Sequence, residues 1–179
     1  MITQNNESKI NWRQILIHAV AAWFFMAAFQ TLSYLYNVDL IKILRQSNFE
    51  TGTEDVLKKH GISMEEFTAF LLFTNFSALA GLLVAFIISL FVSSRQHWYW
   101  INSLLAFILT YILFRFDLLG WEYLRKFFWY PGQLFTSTAI EFLVNGLILL
   151  AIGFLVLFLP RSKRFISKES GEGKKGHSN

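Results

Sequence analysis

The 179-residue chain contains no cysteine, only two prolines, and charge at just 16% of its positions. Without cysteine there is no disulfide, thiolate metal site, thiol nucleophile or CxxCH haem attachment. Neither proline falls inside a long apolar run, which removes the usual sequence sign of a broken transporter helix. The scarcity of charge excludes most. Soluble domains are about 25% charged and about 45–50% apolar, whereas this chain is 54% hydrophobic and has 20 phenylalanines. Too few polar residues remain to cover a soluble globule, and disorder needs the opposite composition. Such a composition belongs in a bilayer.

Four charge-free stretches dominate the chain. They are 25 residues between Arg13 and Asp39, 28 between Glu66 and Arg95, 19 between Arg95 and Arg115, and 19 between Glu141 and Arg161. Crossing about 30 Å of hydrocarbon takes about 20 residues at 1.5 Å each. The runs are continuous rather than alternating, so helices are expected and barrel strands are not. The expected fold class is all-α: an integral membrane four-helix bundle with short interfacial helices in its two outer loops. Its spans fall near 14–36, 66–93, 97–115 and 139–159 within one domain, 1–160, and 161–179 forms a basic, disordered tail. The first run far exceeds the roughly 7–15 residues of a signal-peptide core and no A-x-A site follows it, so it reads as a retained helix.

Four crossings put both termini and the short 93–98 link on one side. That side holds nine basic residues (Lys9, Arg13, Arg95, Arg161, Lys163, Arg164, Lys168, Lys174, Lys175) against Glu7, Glu169 and Glu172. Lys/Arg-rich short loops stay cytoplasmic. Both termini are therefore expected in the cytoplasm, with the protein multi-pass in a bacterial inner (plasma) membrane. Nucleic acid is not an expected partner, because the positive charge sits beside the bilayer.

The loops carry helix signals. Ser63 and Glu66 form a capping box, with Ile62 placed to staple onto Phe67. Thr53–Lys59 reads as a short helix stopped by Gly61. Residues 38–45 have an amphipathic spacing that suits the membrane surface. In the second outer loop, 118–130 puts Glu122, Arg125, Lys126 and Trp129 on one face, the pattern of an interfacial anchor joining two spans or, in the alternative, of a lid or lipid-contacting platform over the bundle.

Ionisable groups at mid-bilayer depth would mark function, and the spans hold almost none. The best candidate is Glu141, with Asn145 one turn on. Thr138, three residues earlier, makes a second capping-box pattern, and a cap is the preferred reading of Glu141. The other reading is a substrate-binding site near the outer surface built from Glu141, Asn145, Arg115, Asp117 and Glu122. Small residues suggest close helix packing at Gly81, Ala85 and Ser89, and again at Gly146 and Gly153. His18 and His97 lie near the same membrane face and could meet as a haem or metal pair, although histidines without a ligand are commoner. No phosphate-binding loop, His-x-x-Glu-His motif or Gly-x-Ser-x-Gly elbow is present. No catalytic residue, cofactor or metal is assigned. The expectation is a non-enzymatic accessory or assembly subunit that contacts lipid and a membrane-protein partner or a second copy. The alternative is a small transporter or lipid-handling membrane enzyme.

Overall fold

A computed structural model describes residues 10–46, 53–94, 98–116 and 131–159. They form an all-helical structure, 89% helix, with no strand among them. Helix α1, Trp12–Ser33, starts at Asn11, whose side chain accepts the Gln14 N–H at 3.0 Å. A 3-10 turn at Tyr34–Asn37 leads into α2, Val38–Gln46. Helix α3, Thr53–Lys59, is followed by Gly61 at φ +69, a left-handed position that suits glycine and ends the helix. In α3 the exposed Lys58 bonds to Glu54 at 2.9 Å and holds its carboxyl below the ordinary range. Helix α4, Met64–Ser93, opens on the complete Ser63/Glu66 capping box, with both reciprocal bonds at 3.1 Å. Helix α5 spans Tyr99–Arg115, and α6 spans Thr138–Phe158 after a 3-10 turn at Gly132–Leu134.

Three helices have the length and apolarity to cross a membrane: α1 with its continuation to Arg45, α4 and α6. Helix α5 is apolar but shorter. Its 17 residues rise roughly 26 Å, against the 97–115 expected from the charge spacing. The reason is local: Trp98 adopts a left-handed conformation (φ 58), so the helix cannot begin before Tyr99.

Helix α1 is the hub and packs against α4, α5 and α6. The chain directions follow from the paired residues. His18 meets Ser89 and Phe25 meets Gly81, so α4 runs antiparallel to α1. Gln14 meets Asn102 and Ala19 meets Thr110, so α5 runs parallel. Leu32 lies at Gly146 and Phe25 at Gly153, so α6 is antiparallel. The interior is rich in small and polar side chains, among them Ala21, Ala22, Ala27, Ala28, Thr31, Asn102 and Thr110. The exterior is Leu, Ile and Phe: Phe76, Leu83, Ile87 and Phe91 on α4, Leu104 and Ile108 on α5, Leu147 and Leu155 on α6. Soluble proteins bury such residues. Here an apolar skin surrounds a more polar centre.

Helix α2 is joined to α1 by the 3-10 turn without a break in helical backbone angles, in one run from Trp12 to Arg45. Tyr34 packs edge-on to Phe142 at 5.3 Å, and Arg45, near the end of α2, bonds to Glu141, the residue next to Phe142. There Leu40 and Leu44 join Leu57 of α3 and Phe70 of α4 in a small apolar cluster, with Ile62 and Phe67 packed against it.

Candidate functional site

Two polar clusters occupy opposite ends of α1. At the α2 end, Arg45 forks onto the Glu141 carboxylate, Nη1 to Oε2 at 2.9 Å and Nη2 to Oε1 at 3.0 Å. Its guanidinium also lies 5.1 Å from the centre of the Phe142 ring, within cation–π range. Planar, two-point pairing suits arginine and a carboxylate. It makes the burial of Glu141, only 8% exposed, tolerable.

One turn further along α6, the fully buried Asn145 accepts the Gly132 N–H on Oδ1 at 2.9 Å. Its Nδ2 is buried with no hydrogen-bond partner among the described residues. A Cβ on Gly132 would lie 2.6 Å from Asn145 Cγ, so the turn before α6 can approach this close only with glycine. Gly132→Ala is expected to destabilise the protein by about 1–3 kcal/mol through overpacking, read as a lowered midpoint of thermal unfolding in detergent.

The structure corrects the reading of Glu141 as a helix cap. The N-cap of α6 is Ser137, which makes no side-chain capping bond, and the Glu141 carboxylate is turned to Arg45 instead. A charge-assisted two-point bond to arginine outcompetes a single bond to a backbone N–H.

Of the five residues expected to form an outer site, Glu141 and Asn145 are brought together. Arg115 is exposed in the last turn of α5. With Thr110 level with Ala19, Arg115 comes level with Phe24, roughly 15 Å of helix rise short of Tyr34. Asp117 and Glu122 lie outside the described residues, as do the aromatic segment 118–130, His97 and the basic tail. Sequence reasoning missed Arg45. It ends an amphipathic helix, and nothing local links it to a residue 96 positions away.

The second cluster joins α1, α4 and α5 at the other end. His18 Nδ1 is hydrogen-bonded to Ser89 Oγ, and Ser89 Oγ to Ser103 Oγ at 2.8 Å. Asn102 Nδ2 donates to Gln14 Oε1 at 3.0 Å, and its Oδ1 accepts the Asn11 N–H at 3.3 Å. Thr110 Oγ1 lies 2.7 Å from its own-helix Ala106 carbonyl and 3.1 Å from the Ala19 carbonyl of α1. Such interhelical bonds in apolar surroundings are worth about 0.6–2 kcal/mol each. Gln14 carried a readable signal that was not used: it lies four residues before His18, on the same helix face.

The small residues sit at the tightest approaches. A Cβ on Gly81 would lie 2.6 Å from the Phe25 carbonyl oxygen, and one on Gly153 2.8 Å from the Phe25 ring. On Gly146 it would meet the Leu32 side chain at 2.6 Å. Ala85 and Ser89 are buried on the same side of α4.

Comparison with known protein families, curated proteins and solved structures finds no match to this chain.

Proposed function

We propose that the chain is a multi-pass membrane protein in which α1, α4, α5 and α6 form a four-span bundle, with both termini in the cytoplasm. In this reading it resides in a bacterial inner (plasma) membrane. It serves as a non-enzymatic accessory or assembly subunit, contacting a membrane-protein partner or a second copy. The observation that carries this is the inverted distribution of polarity. Polar side chains are spent on helix–helix contacts around α1, while Leu, Ile and Phe face outward along the whole length of α4 and α6. Helix α5 is accommodated by Arg115 snorkelling from its last turn and by modest local thinning of the bilayer. Helix α2 and α3 form a small outer cap on the bundle.

The experiment is crosslinking in the native membrane, followed by recovery of the full chain in mild detergent. A partner subunit or a crosslinked second copy is expected in stable stoichiometry. Recovery of the chain as a monomer with no crosslinked partner would count decisively against an assembly role.

One observation favours a second reading, that of a small transporter or lipid-handling enzyme. Asn145 keeps a buried donor without a partner among the described residues, one turn from the Arg45–Glu141 pair. A polar ligand group entering from the outer side would satisfy it. This reading predicts that Glu141→Gln, which keeps a hydrogen bond to Arg45, abolishes transport or lipid turnover while membrane abundance is kept.

A further inference from the structure

Near the N-terminal end of α1, the buried Gln14 Nε2 and Ser93 Oγ have no hydrogen-bond partner among the described residues. Their residues are 0% and 1% exposed. The antiparallel register of α1 and α4 puts them at one level. His18 pairs with Ser89, and one turn towards the same end come Gln14 on α1 and Ser93 on α4. Residues four apart share a helix face, so both lie on the seam that holds His18. Buried polar groups are almost always satisfied by protein or by ordered water, and a buried water typically makes about three hydrogen bonds. One turn deeper lies a cavity of about 10 Å³ bordered by His18, Ser89 and Ser103, near the lower limit for a single water.

We propose that Gln14, Ser93, Asn102, Ser103, Ser89 and His18 line a hydrated inlet. It opens at the N-terminal end of α1, its ligand is water, and it gives His18 proton exchange with the aqueous phase on that side. A water at the outer position accepts from Gln14 Nε2 and bonds to Ser93 Oγ. A second water occupies the small cavity beside His18. The hydroxyls of Ser103 and Ser89 continue the file to His18 Nδ1, and each both donates and accepts, so a proton can pass along them while each stays neutral. The other described residues bordering this cavity are apolar: Ala22 of α1, Leu82, Ala85 and Phe86 of α4, and Ala106 and Phe107 of α5. The nearest described charge along α1 is Arg13, whose Nη1 is buried beside Gln14 at the outer end. Helix α6 packs on α1 through Gly146 and Gly153, away from this cavity. Helix–helix adhesion accounts for the His18–Ser89 and Gln14–Asn102 bonds. It does not account for two orphaned polar atoms at one level, whereas water does. The inlet rests on the four-span reading only for which compartment supplies the water.

The test is deuterium uptake at the imidazole C2 carbon, read by mass spectrometry on the full chain in nanodiscs. The exposed His60 serves as the internal reference. Uptake at His18 is expected within about tenfold of His60, since solvent reaches it without global opening. Ser93→Val fills the outer water position and should slow His18 uptake by about tenfold, the equivalent of one lost hydrogen bond, with His60 unchanged. If Ser93→Val fails to fold, Ser93→Cys, whose larger sulfur takes up the water's space and bonds only weakly, replaces it. A His18 that takes up no deuterium while His60 exchanges overturns the inlet. So does a folded Ser93 variant whose His18 exchanges at the wild-type rate. A wrong topology would leave His18 uptake intact and would show instead as thiol labelling from the unexpected side.

Discussion

Replacing Gly81 with alanine is expected to destabilise the protein by about 2 kcal/mol, and replacing it with leucine to prevent α4 from seating on α1. Two effects oppose each other. Alanine favours helix over glycine by about 1 kcal/mol. Overpacking in a tight core costs about 1–3 kcal/mol and sometimes more. The clash prevails because the added Cβ would lie 2.6 Å from the carbonyl oxygen and 3.0 Å from the carbonyl carbon of Phe25. That backbone is in the middle of the central helix and cannot rotate away. Gly146→Ala is the contrast. Its added Cβ meets Cδ2 and Cγ of the Leu32 side chain, both at 2.6 Å, and no backbone atom closer than 3.5 Å. The side chain can change rotamer, so a smaller cost of about 1 kcal/mol is expected. Unfolding midpoints in one detergent measure both. Equal effects at Gly81 and Gly146 would show that the α1–α4 approach is looser than described.

Arg45→Ala is expected to cost about 2–3 kcal/mol. Breaking a fully buried pair costs about 3–5 kcal/mol because a charge is left without its partner, and the figure is reduced here because the Arg45 side chain is 37% exposed. The damage should be local at first, freeing α2 from α6 and exposing the Leu40–Leu44–Leu57–Phe70 cluster. Exchanging the charges, Arg45→Glu with Glu141→Arg, should recover part of the loss, and the double-mutant cycle isolates the pair. Thr138→Ala separates this description from the capping motif. If Glu141 served as a cap, Thr138→Ala would cost about 0.5–2 kcal/mol. With Ser137 at the N-cap and no side-chain capping bond there, it should be nearly neutral.

The same four-residue pattern thus reads correctly at one helix start and misleads at another. At Ser63–Glu66 both partners are exposed and nothing competes, so the local motif forms in full. At Thr138–Glu141 a distant arginine takes the carboxylate, and a local pattern contains no information about a residue that folding brings near. The long apolar helices were readable because bilayer thickness sets a length that charge spacing reports directly. Helix α5 was readable except for its first residues, because its start depends on one backbone angle at Trp98. The partners of α2 were hidden in the same way: its amphipathic spacing shows that one face is buried, but not that Leu57 and Phe70 cover it. Small residues at 81, 146 and 153 could be picked out as packing positions. Only coordinates distinguish an approach to backbone from an approach to a movable side chain.

Helix α5 is the shortest of the four long helices, so the topology is tested most directly across it. The chain has no cysteine, and a single introduced thiol therefore gives an unambiguous signal. Ser94→Cys lies just before α5, exposed Gln133→Cys beyond it, and exposed Lys58→Cys on α3. With a membrane-impermeant maleimide on intact cells, Lys58→Cys and Gln133→Cys should label, and Ser94→Cys should label only after permeabilisation. Labelling of Ser94→Cys and Gln133→Cys from the same side would contradict the four-span bundle.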